Sequence, residues 1–375
     1  MTSASPARMI SLDMLRGLTV GGMILVNTAG GVALGLGAPP IAILEHSPWA
    51  GLTFADVVFP SFLMIMGVST VFSLSRQRQA GLTMSAARQI AERSLRLFVL
   101  GFALTNLVWL ADFTAAPWRL FGVLQRIALV YGICSALYLA VPQRGRLVLT
   151  VAILLLYWPL CLQPSLNHVP TDIWQRGMNF VSSTDRWMLG AAGHNYVKGP
   201  YGYDPEGLLS TLPCIAHGLI GIAVGEYLLQ VRGAAAVRGL LKAAAGMIVA
   251  GLAWGIVFPI VKDIWTSSFV LLTCGFTTAA LALAHSALDG PGVRGRLART
   301  LLGLTLPFGM NAILIYVLHD VLTPILSWQA MQLPYMVLSP ILGAQVAATI
   351  PSLVFIAMLW LIANYMAHQR WLVKI

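Results

Sequence analysis

The sequence predicts an all-α fold, a polytopic integral membrane bundle of about ten transmembrane helices. Three observations lead there. Of 375 residues 58% are hydrophobic and only 10% are charged, less than half of the roughly 25% that a soluble domain carries. The apolar residues fall into stretches that match a hydrocarbon core ~30 Å thick, which takes ~20 residues at ~1.5 Å each. The basic residues collect in the short polar stretches between them. Thirty-five Gly and fifteen Met suit close helix packing in lipid.

Ten stretches qualify as spans: about 14–34, 54–75, 90–110, 120–141, 146–163, 206–229, 237–260, 266–286, 300–320 and 346–367. The first carries Asp13 and Arg16 at its start and runs past the length of a secretory h-region, so it is expected to be a retained helix. The stretch 321–345 is apolar but interrupted by Pro324, Pro334 and Pro340. It reads as an eleventh short crossing or as a re-entrant segment. Residues 1–8 read as a short tail, 164–205 as a long polar loop, and 1–375 as a single transmembrane domain without internal repeats.

Charge sets the orientation. One side collects Arg8, Arg76, Arg78, Arg88, Arg93, Arg96, Arg144, Arg146, Arg232, Arg238, Lys242, Arg294, Arg296, Arg299, Arg370 and Lys374. The other has Arg119, Arg176, Arg186, Lys198 and Lys262. With ten helices the sets alternate, which predicts both termini in the cytoplasm. The net charge of +10 is thus a topological signal, and no nucleic-acid partner is expected. Cys134, Cys161, Cys214 and Cys274 lie in or beside apolar stretches without CxxC spacing, so they read as packing residues, with no metal expected.

Ionisable and amide groups inside apolar stretches are costly and ask for a reason. Asn27, His46 and Asp56 fall at one outer boundary. Together they suit an imidazole oriented as base or nucleophile; the alternative is an interfacial His beside an N-capping Asp. Gln125 and Arg126 lie in the fourth span, where Arg126 is a basic residue buried well within a helix. Asp13 and Arg16 suit a local ion pair. Asn311, His319 and Asp320 share the ninth span, and His217 and Glu226 the sixth; bonds to neighbouring helices are the simplest reading of these groups. Asp204-Pro205-Glu206-Gly207 reads as a helix start: a cap, then Pro in the first turn, then an acid. The cluster from Arg76 through Arg93 to Arg96 is a topology determinant that also suits a phosphate-bearing ligand, since Arg pairs bidentately with phosphate.

Several segments in order carry a likeness to a known family. They are R-M-I-S-L-D-M-L-R-G at 8–17, V-N-T-A-G-G at 26–31, E-H-S-P-W-A-G-L-T-F-A-D-V-V-F-P-S-F at 45–62 and G-V-L-Q-R at 122–126. T-D-R-W-M-L-G at 184–190, Y-D-P-E-G-L-L-S-T at 203–211 and G-M-N-A-I-L-I-Y-V-L-H-D at 309–320 follow. This series resembles the heparan-alpha-glucosaminide N-acetyltransferase family, which includes a lysosomal enzyme and bacterial relatives. The H-x-x-W-x-G-x-T-x-x-D-x-x-F-P stretch is its most specific part.

The resemblance implies transfer of an acetyl group from cytoplasmic acetyl-CoA to the amine of a glucosamine-type sugar across a bacterial inner membrane. It implies a catalytic role for His46 with Asn27 beside it, and for Asp56. Gln125, Arg126, Arg76, Arg93 and Arg96 are the expected donor-binding residues. Trp49, Asp185, Arg186, Asp204, Glu206, Asn311 and His319 are the expected acceptor-binding residues. Expected partners are the amino-sugar acceptor and membrane lipid, and a homodimer is compatible with the sequence. Spans one, two, four, six and nine carry the buried polar groups and are expected to line the reaction path. The family's Y-G-G after the asparagine is here Thr28-Ala29-Gly30, and its K-H-A is Glu45-His46-Ser47, changes that bear on acceptor preference. The lysosomal member's luminal domain has no counterpart in these residues, which bears on acceptor size. His46 serves either by carrying the acetyl group as acetyl-imidazole or by taking a proton from the amine during direct transfer, the latter being favoured because a wet outer site hydrolyses an acyl-imidazole. In both, Asn27 is the expected oxyanion donor. Two other functions suit the same polar groups: a transporter of sugars or amino-sugar conjugates, and an O-acetyltransferase of an envelope glycan.

Overall fold

The computed structural model describes residues 9–166, 168–190, 194–289, 295–323 and 328–373. Arg8, Arg294, Pro324 and Lys374, which enter the orientation and span readings, lie outside them. Fourteen α-helices occur among the described residues, and extended pairing there is confined to two isolated bridges, Ala50 with Val261 and Val197 with Tyr203.

In order the helices are α1 (Ile10–Leu36), α2 (Phe54–Leu74), α3 (Met84–Thr105), α4 (Leu107–Ala111), α5 (Val123–Ala140), α6 (Gln143–Cys161) and α7 (Phe180–Leu189). There follow α8 (Thr211–Gln230), α9 (Gly233–Gly255), α10 (Ser267–Leu288), α11 (Arg296–Met310), α12 (Ala312–Leu322), α13 (Trp328–Leu342) and α14 (Ala344–His368). Each of the ten predicted spans coincides with helix. Eight of them, α1, α2, α5, α6, α8, α9, α10 and α14, are long and apolar enough to cross a bilayer, and α11 with α12 makes a ninth if the bent pair is one span. The protein is therefore a polytopic helical membrane protein.

Two predicted spans differ from simple rods. Helix α3 is amphipathic: Ala86, Ile90, Leu97 and Gly101 form one buried stripe while Arg88, Glu92, Arg93 and Arg96 are exposed. Its apolar stripe serves packing against α5. The predicted 300–320 span bends by 78° between α11 and α12. The break falls at Asn311, whose backbone leaves the helical region (φ −126°, ψ 40°). Its side-chain amide instead donates to the Trp371 carbonyl at 2.8 Å and accepts from the Val373 amide at 2.9 Å. The proline-interrupted stretch forms α13, a 15-residue helix that contains Pro334 and Pro340 and is too short to join the spans.

The chain divides into two compact units. Unit 1 comprises Met1–Ser47, Leu52–Phe62 and Leu283–Ile375; unit 2 comprises Pro48–Gly51 and Leu63–Ala282. In unit 1, α1 packs on α11, α12, α13 and α14. Its first turn lacks a cap from the preceding residue. Asp289 caps it instead, accepting from the amides of Ile10 (2.8 Å) and Ser11 (3.2 Å) and binding the Ser11 hydroxyl and His285. Four orphan amides at a helix start need such acceptors. The other end closes on Gly37 in the left-handed region (φ 63°), with the Ala38 amide returning to the Ala33 carbonyl at 2.9 Å, a Schellman turn. That turn releases the chain into the segment that carries His46.

Glycine lets helix backbones touch. A Cβ on Gly17 of α1 would overlap the Thr305 carbonyl of α11, and one on Gly309 would overlap the Asp13 carbonyl. In unit 2, α2 and α8 cross at Gly67, Gly218 and Gly221: a Cβ on Gly221 would overlap the Met64 carbonyl and stand 3.2 Å from Gly67 Cα. Unit 2 also packs α3 on α5, and α8 on α5 and α6. Between α6 and α8, Arg146 binds Glu226 as well as the Val141 carbonyl, so the two charges pair. Glu226 thus satisfies a neighbouring helix as its position in the sixth span suggests, and Asp13 and Arg16 form their local pair at 3.2 Å. All four cysteines are buried and unbridged.

The glycine crossing generates a paired prediction. Gly221→Val is expected to cost about 1–3 kcal/mol through overpacking and to lower the thermal midpoint in detergent. Gly246→Ala on α9, where a Cβ meets nothing within 4 Å, is expected to leave the midpoint unchanged or raise it.

Candidate functional site

The polar residues singled out from the sequence separate into two groups, one in each unit. In unit 1 the central pair is His46 and Asp56. Asp56 lies in the first turn of α2, three residues after Thr53, the spacing of a capping box. Its Oδ2 accepts from the Thr53 amide at 3.1 Å, the Ser47 amide at 3.0 Å and the Thr53 hydroxyl at 3.1 Å. Its Oδ1 faces His46 Nδ1 at 2.8 Å. The Asp56 side chain is 1% exposed, whereas that of His46 is 44% exposed. Asp56 thus caps the helix with one oxygen and meets the imidazole with the other.

This geometry sets the chemistry of the ring. A carboxylate at Nδ1 selects the neutral tautomer with the proton on Nδ1 and the lone pair on Nε2, and stabilises the cation if Nε2 gains a proton. The arrangement suits a general base or a nucleophile at Nε2.

The other predicted residues of unit 1 fall elsewhere. Asn27 is exposed on α1, and among the described residues no hydrogen bond joins it to His46 or Asp56. The next residue, Thr28, is buried and its hydroxyl meets His319 Nε2 at 3.2 Å. His319 Nδ1 in turn meets Asp320 at 2.8 Å, which makes a second imidazole–carboxylate pair, here with the ring buried and the acid half-buried. Asn311 is engaged by the backbone of Trp371 and Val373 at the bend.

In unit 2 Asp204 and Glu206 gather on Arg119, which the sequence marked only as one of the outer basic set. Its guanidinium grips Asp204 with two bonds of 2.7 Å, reaches Glu206 at 2.5 Å, and lies 4.6 Å over the Tyr196 ring. Burial pushes the Asp204 carboxyl up, whereas Glu206, buried but faced by Arg119, is held below the usual range. The expected helix start at 204–207 is therefore corrected. Residues 204–207 form a turn, with the Gly207 amide on the Asp204 carbonyl at 2.8 Å, and α8 begins at Thr211. The carboxylates are held by Arg119, 85 and 87 residues away in sequence, and so are not left to cap the helix.

Arg126 is also relocated. Helix α5 starts at Val123, so Arg126 sits in its first turn rather than well within the span. It is 1% exposed, donates to the Gly207 carbonyl at 3.2 Å and to the Ser210 hydroxyl, and lies 5.2 Å from the Trp265 ring. Gln125 is buried beside it, with its amide toward Thr105 Oγ1 at 3.3 Å. Arg76, Arg93 and Arg96 do not join Arg126; they are exposed, Arg93 lying 4.7 Å over Tyr131 and Arg96 pairing with Glu92 at 3.8 Å. Arg186 holds the carbonyls of Gly177 (2.9 Å) and Gly202 (3.1 Å), which ties the long loop together. Trp49 is buried with Tyr157, Ile173, Tyr203 and Phe258, and its indole donates to the Ile173 carbonyl at 3.0 Å. Among the described residues no group of His, Cys, Asp and Glu is arranged to hold a metal.

Asp185 lies under this turn, close to Gly207, with the amides of Asp204 and Leu208 each 3.4 Å away. Burial first, and then the charge of Asp204, push its carboxyl from 3.8 up to about 7. A carboxyl raised on folding favours the native state at low pH, and that contribution is lost as pH rises from about 4 to about 7. The thermal midpoint is expected to fall across this window, and Asp185→Asn to flatten the fall in a pH series of unfolding scans. An equally steep fall in the variant would assign the effect to other groups.

A family model described as "Heparan-alpha-glucosaminide N-acetyltransferase, catalytic" matches residues 8–255, a segment that includes the His46–Asp56 pair and the cluster around Arg119. The chain is 27% identical over 383 residues to the heparan-alpha-glucosaminide N-acetyltransferase of Homo sapiens and 28% identical over 378 residues to that of Mus musculus. Each comparison covers 85% of this chain and 54% of the relative, so the chain spans about half the length of the curated relatives it matches. The matched segment takes in well over half of the sequence, and the chain belongs to the heparan-alpha-glucosaminide N-acetyltransferase family.

Proposed function

We propose that the protein is a transmembrane acetyltransferase that moves the acetyl group of acetyl-CoA to the amine of a glucosamine-type sugar, with His46 as its general base. The observation that carries this reading is the His46–Asp56 pair: an exposed imidazole whose Nδ1 is held 2.8 Å from a buried carboxylate. Family membership supplies the acyl chemistry and the class of acceptor.

In the proposed reaction the sugar amine attacks the thioester carbonyl while Nε2 of His46 takes a proton from its nitrogen. The C–N bond forms, the tetrahedral adduct collapses, and the C–S bond breaks to release the CoA thiolate, which takes up the proton that His46 gives back. Asp56 holds the ring and stabilises the imidazolium formed on the way. Asn27 is assigned as the donor to the oxyanion, a role that suits an exposed amide on α1. Direct transfer is favoured over an acetyl-imidazole because the His46 ring stands open to water, where an acyl-imidazole would hydrolyse.

Sidedness is part of the proposal. Helix α1 has 27 residues, ~40 Å at ~1.5 Å per residue, and the His46 segment follows its far end. With basic residues on the cytoplasmic side, both termini are assigned to the cytoplasm and His46 to the far side of a bacterial inner membrane. The exposed Arg76, Arg93 and Arg96 suit the phosphates of the donor. Gln125 and Arg126 are assigned to the donor as well, and Asp185, Arg186, Asp204 and Glu206 to the acceptor, with Trp49.

Purified protein given labelled acetyl-CoA and glucosamine is expected to form the acetylated amine. His46→Ala is expected to abolish transfer, and Asp56→Asn to lower kcat by about 10²–10⁴-fold, the range of general acid–base contributions. Undiminished product from the folded His46→Ala protein would sink the assignment.

A further inference from the structure

We infer that Thr53 is a positioning residue for the reaction, acting through Asp56; this rests on the reading of His46 and Asp56 as the catalytic pair. Thr53 immediately precedes α2. Its hydroxyl lies 2.6 Å from the carbonyl oxygen of Glu45 and 3.1 Å from Asp56 Oδ2, as donor to both. The single proton is shared in a three-centre bond. Glu45 precedes His46, and Ser47, which follows it, gives its amide to the same Asp56 oxygen at 3.0 Å.

The backbone on both flanks of His46 is therefore tied to the Thr53–Asp56 pair. The ring is tied to the same carboxylate through Oδ1. A carboxylate can rotate about its terminal torsion, which is soft. The three donors on Oδ2 hold the rotation that turns Oδ1 to the imidazole, and two of those donors belong to Thr53. The amide bond survives any substitution except proline. The hydroxyl bond depends on the side chain, and it is the bond that joins the segment before His46 to the helix that carries Asp56.

The chemistry of the position explains the residue type. Serine would supply the same hydroxyl, and valine the same shape without it. In α2 the hydroxyl meets the Asp56 carboxylate, whereas the first returning backbone bond runs from the Asp56 amide to the Thr53 carbonyl at 3.2 Å. Removing it leaves that bond in place and loosens the carboxylate and the Glu45 carbonyl.

The test is steady-state transfer by the full chain in detergent, with acetyl-CoA and glucosamine, for Thr53→Val and Thr53→Ser. Thr53→Val is expected to lower kcat about tenfold with KM near wild type, the scale of one hydrogen bond lost in the transition state. Thr53→Ser is expected to restore kcat. In the Asp56→Asn background, Thr53→Val is expected to add no further loss, because the two act as one unit. Wild-type kcat in Thr53→Val, a failure of serine to restore it, or an undiminished loss in the Asp56→Asn background would each overturn the inference. Should Thr53→Val not fold, Thr53→Ala against Thr53→Ser reads the same bond. His46→Ala, run alongside, separates the outcomes: activity there removes the catalytic pair itself, whereas an inactive His46→Ala beside a fully active Thr53→Val removes only the role of Thr53.

Discussion

The chemistry of unit 1 depends on how the two oxygens of Asp56 are divided. Oδ2 closes the start of α2 and gathers the amides of Ser47 and Thr53, while Oδ1 meets the imidazole. A helix start needs an acceptor for its orphan amides whatever else the protein does, and here that need and the orientation of the His46 ring are met by one carboxylate. The exposed His46 sits in an irregular segment and is tied to the buried start of α2 through this carboxylate.

The same economy governs the rest of the polar interior. A buried charge left unpaired is costly, whereas one with a good partner is tolerated. Arg146 with Glu226, Arg119 with Asp204 and Glu206, and Asp289 with the first turn of α1 each bring together groups from different helices or loops. Where helices meet without polar groups, glycine brings the backbones into contact, as at Gly17 with α11 and at Gly67 with Gly221. Polar pairs and glycine contacts thus share the work that hydrophobic burial performs in water, since lipid offers no such drive between helices.

Much of this was legible in the residues. Ten apolar stretches mark ten helical regions, and the His, the Trp and the Asp of one short motif mark the family. The spacing Thr53-x-x-Asp56 is itself a capping signal, so Thr53 was readable from the same motif. Three features were not. Helix α3 resembles a span in length, but its charged face appears only when Arg88, Glu92, Arg93 and Arg96 are placed around the helix. The bend at Asn311 follows from bonds to Trp371 and Val373, 60 and 62 residues distant. Asp204 and Glu206 look like a helix cap because capping is a local pattern, and the partner that takes them, Arg119, is a distant one.

The sequence by itself determined the class of protein, the placing of its helices and the family, because these rest on composition, on segment length and on motifs read along the chain. The tertiary structure alone decided which polar groups meet. It separated Arg126 from Arg76, Arg93 and Arg96, gave Arg119 the two acids, turned Asn311 to the C-terminal backbone, and set the His46 ring on Asp56. The physical reason is range. Hydrophobic length and capping act within a few residues, whereas pairing of buried charge is settled by whichever partners the packed helices bring within about 3 Å, the reach of a hydrogen bond.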